Sequence, residues 1–349
     1  MNIFNTHIHH WYSNFKRDLP WRNTRDPYFI WLSEIILQQT RIDQGLSYYL
    51  KFTEEFPTIS DLANAPEDQV LKLWQGLGYY SRARNLHFTA KFITLQCYGK
   101  FPNKYHKLLL LKGIGEYTAA AIASICFNEQ FPVVDGNVFR VLSRYFGIET
   151  PIDTPAGKRI FMQLAAELIK GTDPGMHNQA LMEFGALQCT PKKPNCLQCP
   201  LHEQCFAFST NKTAELPVKQ KKIRQRDRYF NYFVLFQGDD TWLRKRTGKD
   251  IWQNLFEFPM IETSSAIKIE ELLSLSEVIQ LISPNESAVE KTEDWKIHQL
   301  THQRINYRVI KVRLLQVNAL PDELMRVNKK DIFNFAVPKL LERHIKKLQ

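Results

Sequence analysis

The sequence has no apolar run that approaches the ~20 residues of a membrane-spanning helix. It also has no internal repeat and no low-complexity tract. Its first residues, MNIFNTHIHHWYSNF, lack the basic start and the apolar core of a signal peptide. We therefore expect an intracellular, cytoplasmic protein with no membrane partner. With only six cysteines in 349 residues and a reducing location, a metal or redox site is expected rather than a disulfide framework.

An excess of acidic residues is also absent. The net charge is +10 and the pI is about 9.2. Divided at residue 214, the chain has 22 basic and 18 acidic residues before that point and 24 and 18 after it. Both halves are therefore basic, which favours a polyanionic partner such as nucleic acid. The length favours two domains, and 44% hydrophobic residues indicate a globular chain.

The apolar pattern changes its period near residue 216. Before that point it is helical: Asp26-Pro27 and Pro66 open two helices, and 116–126, 136–146, 155–170 and 177–187 predict four more. The basic segment LPVKQKKIRQRDR, 216–228, is typical of a linker. After it, strands are predicted on both sides of Gly238-Asp239-Asp240 and over 304–317, with helices near 269–282 and 331–346.

The strongest local signal is the segment CTPKKPNCLQCPLHEQC. Its four thiols, Cys189, Cys196, Cys199 and Cys205, follow the spacing C-x6-C-x2-C-x5-C. Four thiolates can hold one tetrahedral zinc ion or one cubane iron–sulfur cluster. Zinc ribbons usually offer two C-x2-C pairs, whereas this segment has one.

The segment LLLLKGIGEYTAAAIAS, 108–124, has the form of a helix-hairpin-helix. Gly113 and Gly115 would permit unusual backbone angles and let backbone amides approach a DNA phosphate at the next helix start. Such a contact holds DNA without reading its sequence. Plain packing of two helices is the alternative. Twenty residues after Gly115, Asp135 precedes another predicted helix, where an N-cap role and a catalytic role are compatible.

The apolar stretch WLSEIILQQT, 31–40, contains one carboxylate, Glu34. Glu34, Gln38 and Arg41 would share one stripe of a continuous helix. Periodicity alone therefore favours a solvated face for Glu34, and an acid kept in a poorly hydrated site is the alternative.

Several segments together resemble one enzyme family. The hairpin, Asp135 and the cysteine segment occur in the order typical of endonuclease III-like helix-hairpin-helix DNA glycosylases. LPWR (19–22), WLSEIILQQT, GLGYYSRARNL (76–86), DGNV (135–138) and NQALMEFGA (178–186) narrow the resemblance to the MutY-type adenine DNA glycosylase family over residues 19–205. The resemblance implies a mainly helical glycosylase domain with a [4Fe–4S] cluster on the four cysteines.

The resemblance also implies roles for individual residues. Glu34 would be the general acid that protonates adenine at N7 and later helps to activate water, which requires an environment that disfavours its charge. Asp135 would stay ionised and stabilise an oxocarbenium-like sugar, with Tyr117 and Asn137 shaping the site around it. Adenine must first leave the duplex, at a cost of roughly a few kcal/mol.

The remaining carried-over residues fall into three groups. The residues that match the adenine pocket are Trp21, Arg22, Leu37 and Glu183. Those that match residues entering the helix or contacting the opposite base are Gln39, Thr40, Leu77, Tyr79, Thr301 and His302. The contact with the DNA backbone is matched by Gly113 and Gly115. For Trp21 and Leu37, ordinary core packing is the alternative. An aromatic wedge at Tyr79 is physically sensible because stacking offsets the cost of unstacking bases.

The second residue after Gly115 separates members of the wider family. Relatives that also cleave the strand have a lysine there, which attacks the sugar and forms a Schiff base. This chain has Tyr117, and Lys112 lies on the other side of the glycine turn. We therefore expect base removal without efficient strand cleavage.

The C-terminal region resembles Nudix domains through IWQNLFEFPM, 251–260. It lacks the clustered glutamates of a Nudix box, which would bind magnesium, so we expect it to bind nucleotides without hydrolysing them. QLTHQRINY, 299–307, matches the family's damage-reading loop, usually Phe-Ser-His and here Leu300-Thr301-His302. The threonine keeps a hydroxyl, while the aromatic ring is missing. A simple strand-connecting turn is the alternative.

These observations predict a helical glycosylase domain over 1–210, a basic linker over 211–228 and a smaller α+β Nudix-like domain over 229–349. The predicted function is removal of adenine opposite 8-oxoguanine or guanine in double-stranded DNA by a monomeric enzyme. A glycosylase with strand-cleaving activity and a catalytically silent mismatch-binding protein are the alternatives. An iron–sulfur electron carrier would need neither a hairpin nor a lesion-reading domain.

Overall fold

The structure is a computed structural model that describes residues 2–220, 225–283, 285–316 and 320–348. It forms two compact units. Unit 1 contains Met1–Asn64 and Asn85–Lys221, and unit 2 contains Ala65–Arg84 and Lys222–Gln349. Parts of the predicted linker (221–224) and of the predicted strand 304–317 (residue 317) lie outside the described residues.

Unit 1 is helical. In the described residues the helices up to residue 209 are α1 Ile3–Phe15, α2 Pro27–Leu37, α3 Ile42–Glu55, α4 Ile59–Asn64, α5 Glu67–Leu73, α6 Ser81–Gln96, α7 Tyr105–Leu108, α8 Glu116–Phe127, α9 Gly136–Phe146, α10 Pro155–Ile169, α11 Pro174–Leu187 and α12 Phe206–Ser209. Of these, α5 and the start of α6 belong to unit 2. None of the helices in the described ranges is long and apolar enough to span a membrane.

Aspartate caps define where the helices of the candidate site begin. Asp26 accepts a hydrogen bond from the Tyr28 amide at 2.8 Å and opens α2 as predicted. The predicted helices over 116–126, 136–146 and 155–170 are confirmed to within one residue. The helix predicted over 177–187 begins three residues earlier, because Asp173 caps it and Pro174 occupies its first position.

The core of unit 1 lies among α1, α9, α10 and α11. Large buried side chains from all four helices meet there: Phe4, Ile8, Trp11, Val138, Leu142, Phe161, Leu168, Leu181 and Phe184. Leu201 joins this core from the cysteine segment, and Cys189 and Cys199 pack against it. The cysteine segment is therefore anchored to the same core as α9 and α11.

Unit 2 is built on a mixed sheet. Its strands in the described residues are β1 Arg226–Gln237, β2 Asp240–Lys245, β3 Phe256–Glu257, β4 Met260–Thr263, β5 Ser287–Thr292, β6 Lys296–Gln299, β7 Gln303–Leu314 and β8 Leu324–Asn328. The main order is β3-β2-β1-β7-β5, with β4 on β1, β6 on β7 and β8 on β2. The central pair β1–β7 is parallel, from Arg226↔Gln303 to Phe236↔Arg313, and the other pairs are antiparallel.

Both helices predicted in the C-terminal region are wrong in length. The segment 269–282 forms two short helices, α13 Ile269–Leu273 and α14 Ser276–Leu281, because Ser274 ends the first with its hydroxyl donating to the Glu271 carbonyl at 2.7 Å. In 331–346, Pro338 interrupts the predicted helix. The chain there forms 3₁₀ turns and one short helix, α15 Glu342–Ile345.

The segment 65–84 packs with the C-terminal residues as part of unit 2. The Lys72 ammonium donates to the Phe335 carbonyl at 3.1 Å, and Arg84 donates to the Gln253 carbonyl at 2.8 Å. Trp74 is completely buried. The GLGYY sequence therefore belongs to the same unit as the predicted damage-reading loop.

We expect Phe161→Ala to lower the free energy of unfolding of unit 1 by about 3–5 kcal/mol, because it leaves a cavity in a fully packed core. Met162→Ala, at a neighbouring exposed position, is the control and should change it by much less. Urea denaturation monitored by circular dichroism measures both. A loss of under about 1 kcal/mol for Phe161→Ala would contradict the packing described above.

Candidate active site

Glu34 lies near the end of α2 with its carboxyl group in a buried environment. Burial, and to a smaller extent the nearby negative charge of Asp135, raises the pKa of Glu34 to about 7. A hydrogen bond from Tyr117 and the charge of Arg22 oppose this shift. The predicted stripe with Gln38 and Arg41 does not form, because α2 ends at Leu37.

Tyr117 connects Glu34 to the opposite wall of the site. It lies in the first turn of α8, and its hydroxyl hydrogen-bonds the Glu34 carboxyl. The same hydroxyl lies 3.4 Å from the Met182 sulfur on α11. Burial raises the pKa of Tyr117 well above its usual value, so this phenol is a neutral hydrogen-bond donor near pH 7.

Asp135 is the N-cap of α9, as the sequence predicts. One carboxylate oxygen accepts from the amides of Asn137 and Val138 at 2.9 and 2.8 Å, and the other accepts from the Asn137 side-chain amide at 2.8 Å. Burial raises the pKa of Asp135, while these hydrogen bonds act in the opposite direction. They fix the orientation of the carboxylate.

Arg140 connects this aspartate cap to the cysteine segment. Its guanidinium donates to the Asn137 side-chain oxygen at 2.9 Å, to the Gly185 carbonyl at 2.6 Å and to the Cys189 carbonyl at 2.7 Å. A Cβ atom at Gly185 would lie only 2.7 Å from that of Asn137. The close approach of α9 and α11 therefore depends on glycine at this position.

Glu183 on α11 is held between two arginines. Arg17 donates to both carboxylate oxygens at 2.8 and 2.6 Å, and Arg22 donates to them at 2.9 and 2.6 Å. Burial opposes ionisation of this side chain, but the arginine hydrogen bonds outweigh it and lower the pKa of Glu183 to about 2. Glu183 is therefore a fixed anion.

Trp21 and Leu37, the other predicted pocket residues, are engaged in packing. Trp21 is buried with its ring edge-on to Tyr49, at 5.0 Å between centroids. A Cβ on Gly45 would lie 2.6 Å from the Leu37 side chain, so these two residues are in close contact. The packing alternative is therefore observed for both, and it leaves a pocket role untested.

In the predicted hairpin the two glycines have different roles. Gly113 has a φ of +81°, and a Cβ there would lie 2.7 Å from Asn85. Gly115 has ordinary extended angles, so it does not need the conformational freedom that the sequence analysis assigned to it. It has open space where a side chain would be, at the N-cap of α8. The Lys112 ammonium lies 4.4 Å from the centre of the Phe88 ring.

The four predicted metal ligands line one small cavity. Cys189, Cys196, Cys199 and Cys205 surround a space of about 30 Å³ together with Arg144. The Arg144 guanidinium lies 3.4 Å from the Cys189 sulfur and donates to the Thr190 carbonyl at 2.8 Å. Across the described ranges, no three His, Cys, Asp or Glu side chains are grouped so as to hold a single metal ion.

The residues predicted to contact the opposite base divide between the units. Gln39 and Thr40 follow α2 in unit 1, where Gln39 is exposed with a φ of +54° and Thr40 is partly buried. The other four residues, Leu77, Tyr79, Thr301 and His302, line one cavity of about 810 Å³ within unit 2.

Tyr79 and Thr301 are in direct contact across this cavity. Their hydroxyl oxygens lie 2.5 Å apart, although 222 residues separate them in the sequence. Tyr79 is exposed and has a φ of +48°, whereas Leu77 is buried. Trp252 and His298 add aromatic surface to the same cavity.

Several residues that support the site are not among those predicted from the sequence. Arg17 clamps Glu183, Met182 contacts Tyr117, and Arg140 and Arg144 reach the cysteine segment. A signal existed for the last two, because they are charges spaced by four on the apolar helix VFRVLSR. Their partners are distant in sequence, so no periodicity could identify them.

Two family models match the chain. Residues 32–167 match the HhH-GPD superfamily base excision DNA repair proteins, and residues 231–347 match the NUDIX domain. The chain is 39% identical over 280 residues to the adenine DNA glycosylase of Buchnera aphidicola subsp. Schizaphis graminum, covering 79% of each protein. It is 33% identical to that of B. aphidicola subsp. Acyrthosiphon pisum, covering 95% of this chain and 91% of the relative.

The chain belongs to the adenine DNA glycosylase family. It is therefore a DNA glycosylase of base excision repair. The first match spans Glu34, the hairpin and Asp135. Among solved structures, a thermostable thymine-DNA glycosylase is similar, with a TM-score of 0.55 and 31% identity, over 60% of this chain and 96% of that protein. An endonuclease III–DNA complex shares the fold, with a TM-score of 0.51 and 18% identity over 60% of this chain and 94% of that one.

We expect Glu34→Gln to stabilise unit 1 at pH 8 and to have little effect at pH 5. The pKa of Glu34 rises from 4.5 in the unfolded chain to about 7 in the folded one, so the wild type loses stability relative to glutamine as the pH rises through this range. The gain at pH 8 should be about 2–3 kcal/mol. Urea denaturation at both pH values measures it, with the exposed Glu54→Gln as control. A pH-independent difference would contradict the burial of the Glu34 carboxyl.

Proposed function

We propose that this glycosylase removes adenine opposite 8-oxoguanine, and opposite guanine, from double-stranded DNA. The observation that carries the proposal is the environment of the Glu34 carboxyl. This group has a pKa of about 7, forms a hydrogen bond with Tyr117 and lies near the charge of Asp135. Half-protonated near neutral pH, such a group can give and take a proton, as acid–base catalysis requires. Family membership supports adenine as the excised base.

In this mechanism Glu34 protonates N7 of an adenine that has left the duplex, which makes the base a better leaving group. The glycosidic bond then breaks with its electron pair moving to the protonated base, and positive charge develops on the sugar. Asp135, held by the Asn137 and Val138 hydrogen bonds, stabilises this charge. Glu34, now a carboxylate, accepts a proton from the water that adds to the sugar.

The charged side chains of the proposed adenine pocket keep their protonation state during the reaction. Glu183, with its pKa of about 2, stays ionised, and Arg17 and Arg22 neutralise it. A fixed polar wall of this kind can orient a base by hydrogen bonds without competing for the proton of Glu34. Trp21 adds an aromatic edge to this wall.

The proposal includes a duplex DNA partner and a [4Fe–4S] cluster. The open side of Gly115 at the start of α8 suits a phosphate, as in other helix N-termini. The four thiols line one cavity, and a cubane cluster is a group that four cysteines can hold. Bound there, the cluster would tie the cysteine segment to the core that carries Arg140 and Asp135.

Base removal without strand cleavage follows from the residues near the sugar site. Tyr117 occupies the position of a Schiff-base lysine, and its hydroxyl is committed to Glu34 and Met182. The Lys112 amine lies over Phe88. We further propose that the enzyme is a monomer. We also propose that 1–210, 211–228 and 229–349 serve as the catalytic domain, linker and opposite-base domain, with 65–84 contributing to the opposite-base domain as part of unit 2.

The first test uses a labelled duplex with one adenine opposite 8-oxoguanine, analysed with and without alkali. We expect strand breaks only after alkali. Direct breaks that persist in Lys112→Ala would contradict the Tyr117 argument and favour a glycosylase that also cleaves the strand. Tight binding without any breaks, with the cluster present, would favour the silent mismatch-binding protein.

The second test uses Glu34→Gln on the same duplex. We expect retained binding and a loss of most turnover, because glutamine cannot deliver the proton that adenine needs. The wild-type rate should also fall as the pH rises above about 7, where Glu34 loses its proton. Near-normal excision by Glu34→Gln would refute the acid role, and Glu54→Gln controls for loss of a carboxylate elsewhere.

The third test concerns the opposite base. Thr301→Val should reduce the preference for A:8-oxoguanine over A:G by about fivefold, because one hydroxyl contact is worth roughly 1 kcal/mol, whereas Thr301→Ser should retain it. Tyr79→Phe removes only the hydroxyl that contacts Thr301. If Tyr79→Phe has the same effect, the loss is due to the contact between Tyr79 and Thr301. An unchanged preference in Thr301→Val would contradict base reading by the Thr301 hydroxyl.

A further inference from the structure

One side of α6 in unit 1 carries an apolar stripe that is largely exposed. Phe88, Phe92 and Leu95 follow the spacing i, i+4, i+7, and Tyr98 continues the line beyond the helix end. Their exposed fractions are 51%, 42%, 71% and 90%. We call these four residues the α6 stripe.

The opposite side of α6 already supplies the contacts that the helix needs. Leu86, Ala90 and Ile93 are buried. Thr89 donates to the Lys112 carbonyl at 2.7 Å, which fixes the helix against the hairpin. The α6 stripe is therefore additional apolar surface, and clustered exposed apolar residues often mark an interaction site.

The stretch of chain that carries the α6 stripe has charged residues of one sign. Residues 81–115 contain seven lysines and arginines and no aspartate or glutamate. Lys91 lies within the stripe, and Lys100, Lys107 and Lys112 are also exposed. Within this stretch Lys104 pairs with a more distant carboxylate, Glu129. A partner of complementary charge must therefore be acidic.

We propose that the α6 stripe is a docking surface for an amphipathic helix with acidic flanks, contributed by another protein. Apolar residues at i, i+4 and i+7 match the ridge of a second helix, and the lysines match acidic flanks. Leu95, which is 71% exposed, can neither stack on bases nor bond phosphates. This observation favours a protein over nucleic acid.

A second copy of this chain is a poorer match. In a two-fold dimer the same surface meets itself, so Lys91 and its neighbouring lysines would face their own copies. The α6 stripe begins beside the hairpin, since the Lys112 ammonium lies over Phe88. From Phe88 to Leu95 it runs about 10 Å along the helix. A partner bound there would sit next to the hairpin.

The test measures fluorescence anisotropy of labelled helical peptides of roughly 18 residues with the full-length, cluster-loaded protein. One peptide has leucines at i, i+3, i+4 and i+7 with glutamate flanks; a second has lysine flanks; a third has serines in place of the leucines. We expect only the first to bind. Phe92→Ser and Leu95→Ser should weaken it roughly tenfold or more, as for anchor residues in other interfaces.

Ile160→Ser on α10, also exposed, is the matched control and should bind the peptide like the wild type. Circular dichroism and adenine excision should be unchanged in all three variants, which separates this proposal from the catalytic one. Equal binding of the lysine-flanked peptide, or no effect of Phe92→Ser, would overturn it. Loss of oligonucleotide binding in Phe92→Ser would also overturn the proposal. A dimer in sedimentation that Leu95→Ser dissociates would overturn it as well.

Discussion

The candidate site depends on placing one carboxyl group where its charge is disfavoured. Glu34 lies among protein atoms, near the negative charge of Asp135, and receives a side-chain hydrogen bond from Tyr117. Burial of a carboxylate costs free energy that the charge of Arg22 offsets only in part, so the proton stays on to about pH 7. The helix that begins at Asp135, α9, packs so closely against α11 in the core of unit 1 that position 185 requires glycine.

Glu183 provides the internal comparison. The Glu183 side chain is almost completely buried, yet its pKa falls to about 2, because Arg17 and Arg22 bind both carboxylate oxygens. The same residue type thus has opposite protonation within one unit. The difference comes from the partners: arginines supply charge-assisted hydrogen bonds, while the Tyr117 phenol supplies a weaker, neutral one. Under the proposed function, separated pKa values of this kind would let Glu34 transfer a proton while Glu183 only positions the base.

The sequence predicted the parts of the fold that depend on local chemistry. Asp26-Pro27 and Asp135 mark helix starts because caps act within three residues. Prediction from the sequence was wrong where the apolar pattern continued but the backbone could not remain helical. Ser274 and Pro338 are two such positions, and each divides an apolar segment into short helices or turns. It also placed Glu34 on a solvated stripe until the family resemblance was considered, because periodicity assumes that a helix continues past Leu37. Contacts such as Arg140 with Cys189, or Tyr79 with Thr301, join distant segments, so no pattern could reveal them.

The cavity of about 810 Å³ in unit 2 shows how a substituted motif can keep a hydroxyl group and aromatic surface. Leu300 lacks the aromatic ring that the family's damage-reading loop usually has, and its amide only closes the turn by donating to the Gln303 carbonyl at 2.9 Å. The cavity nevertheless has aromatic walls, since Trp252 and His298 lie 6.2 Å apart and both line it. Thr301 retains the hydroxyl and holds it against Tyr79. Under the proposed function, recognition in this chain therefore depends more on the hydroxyl pair and less on a ring at position 300.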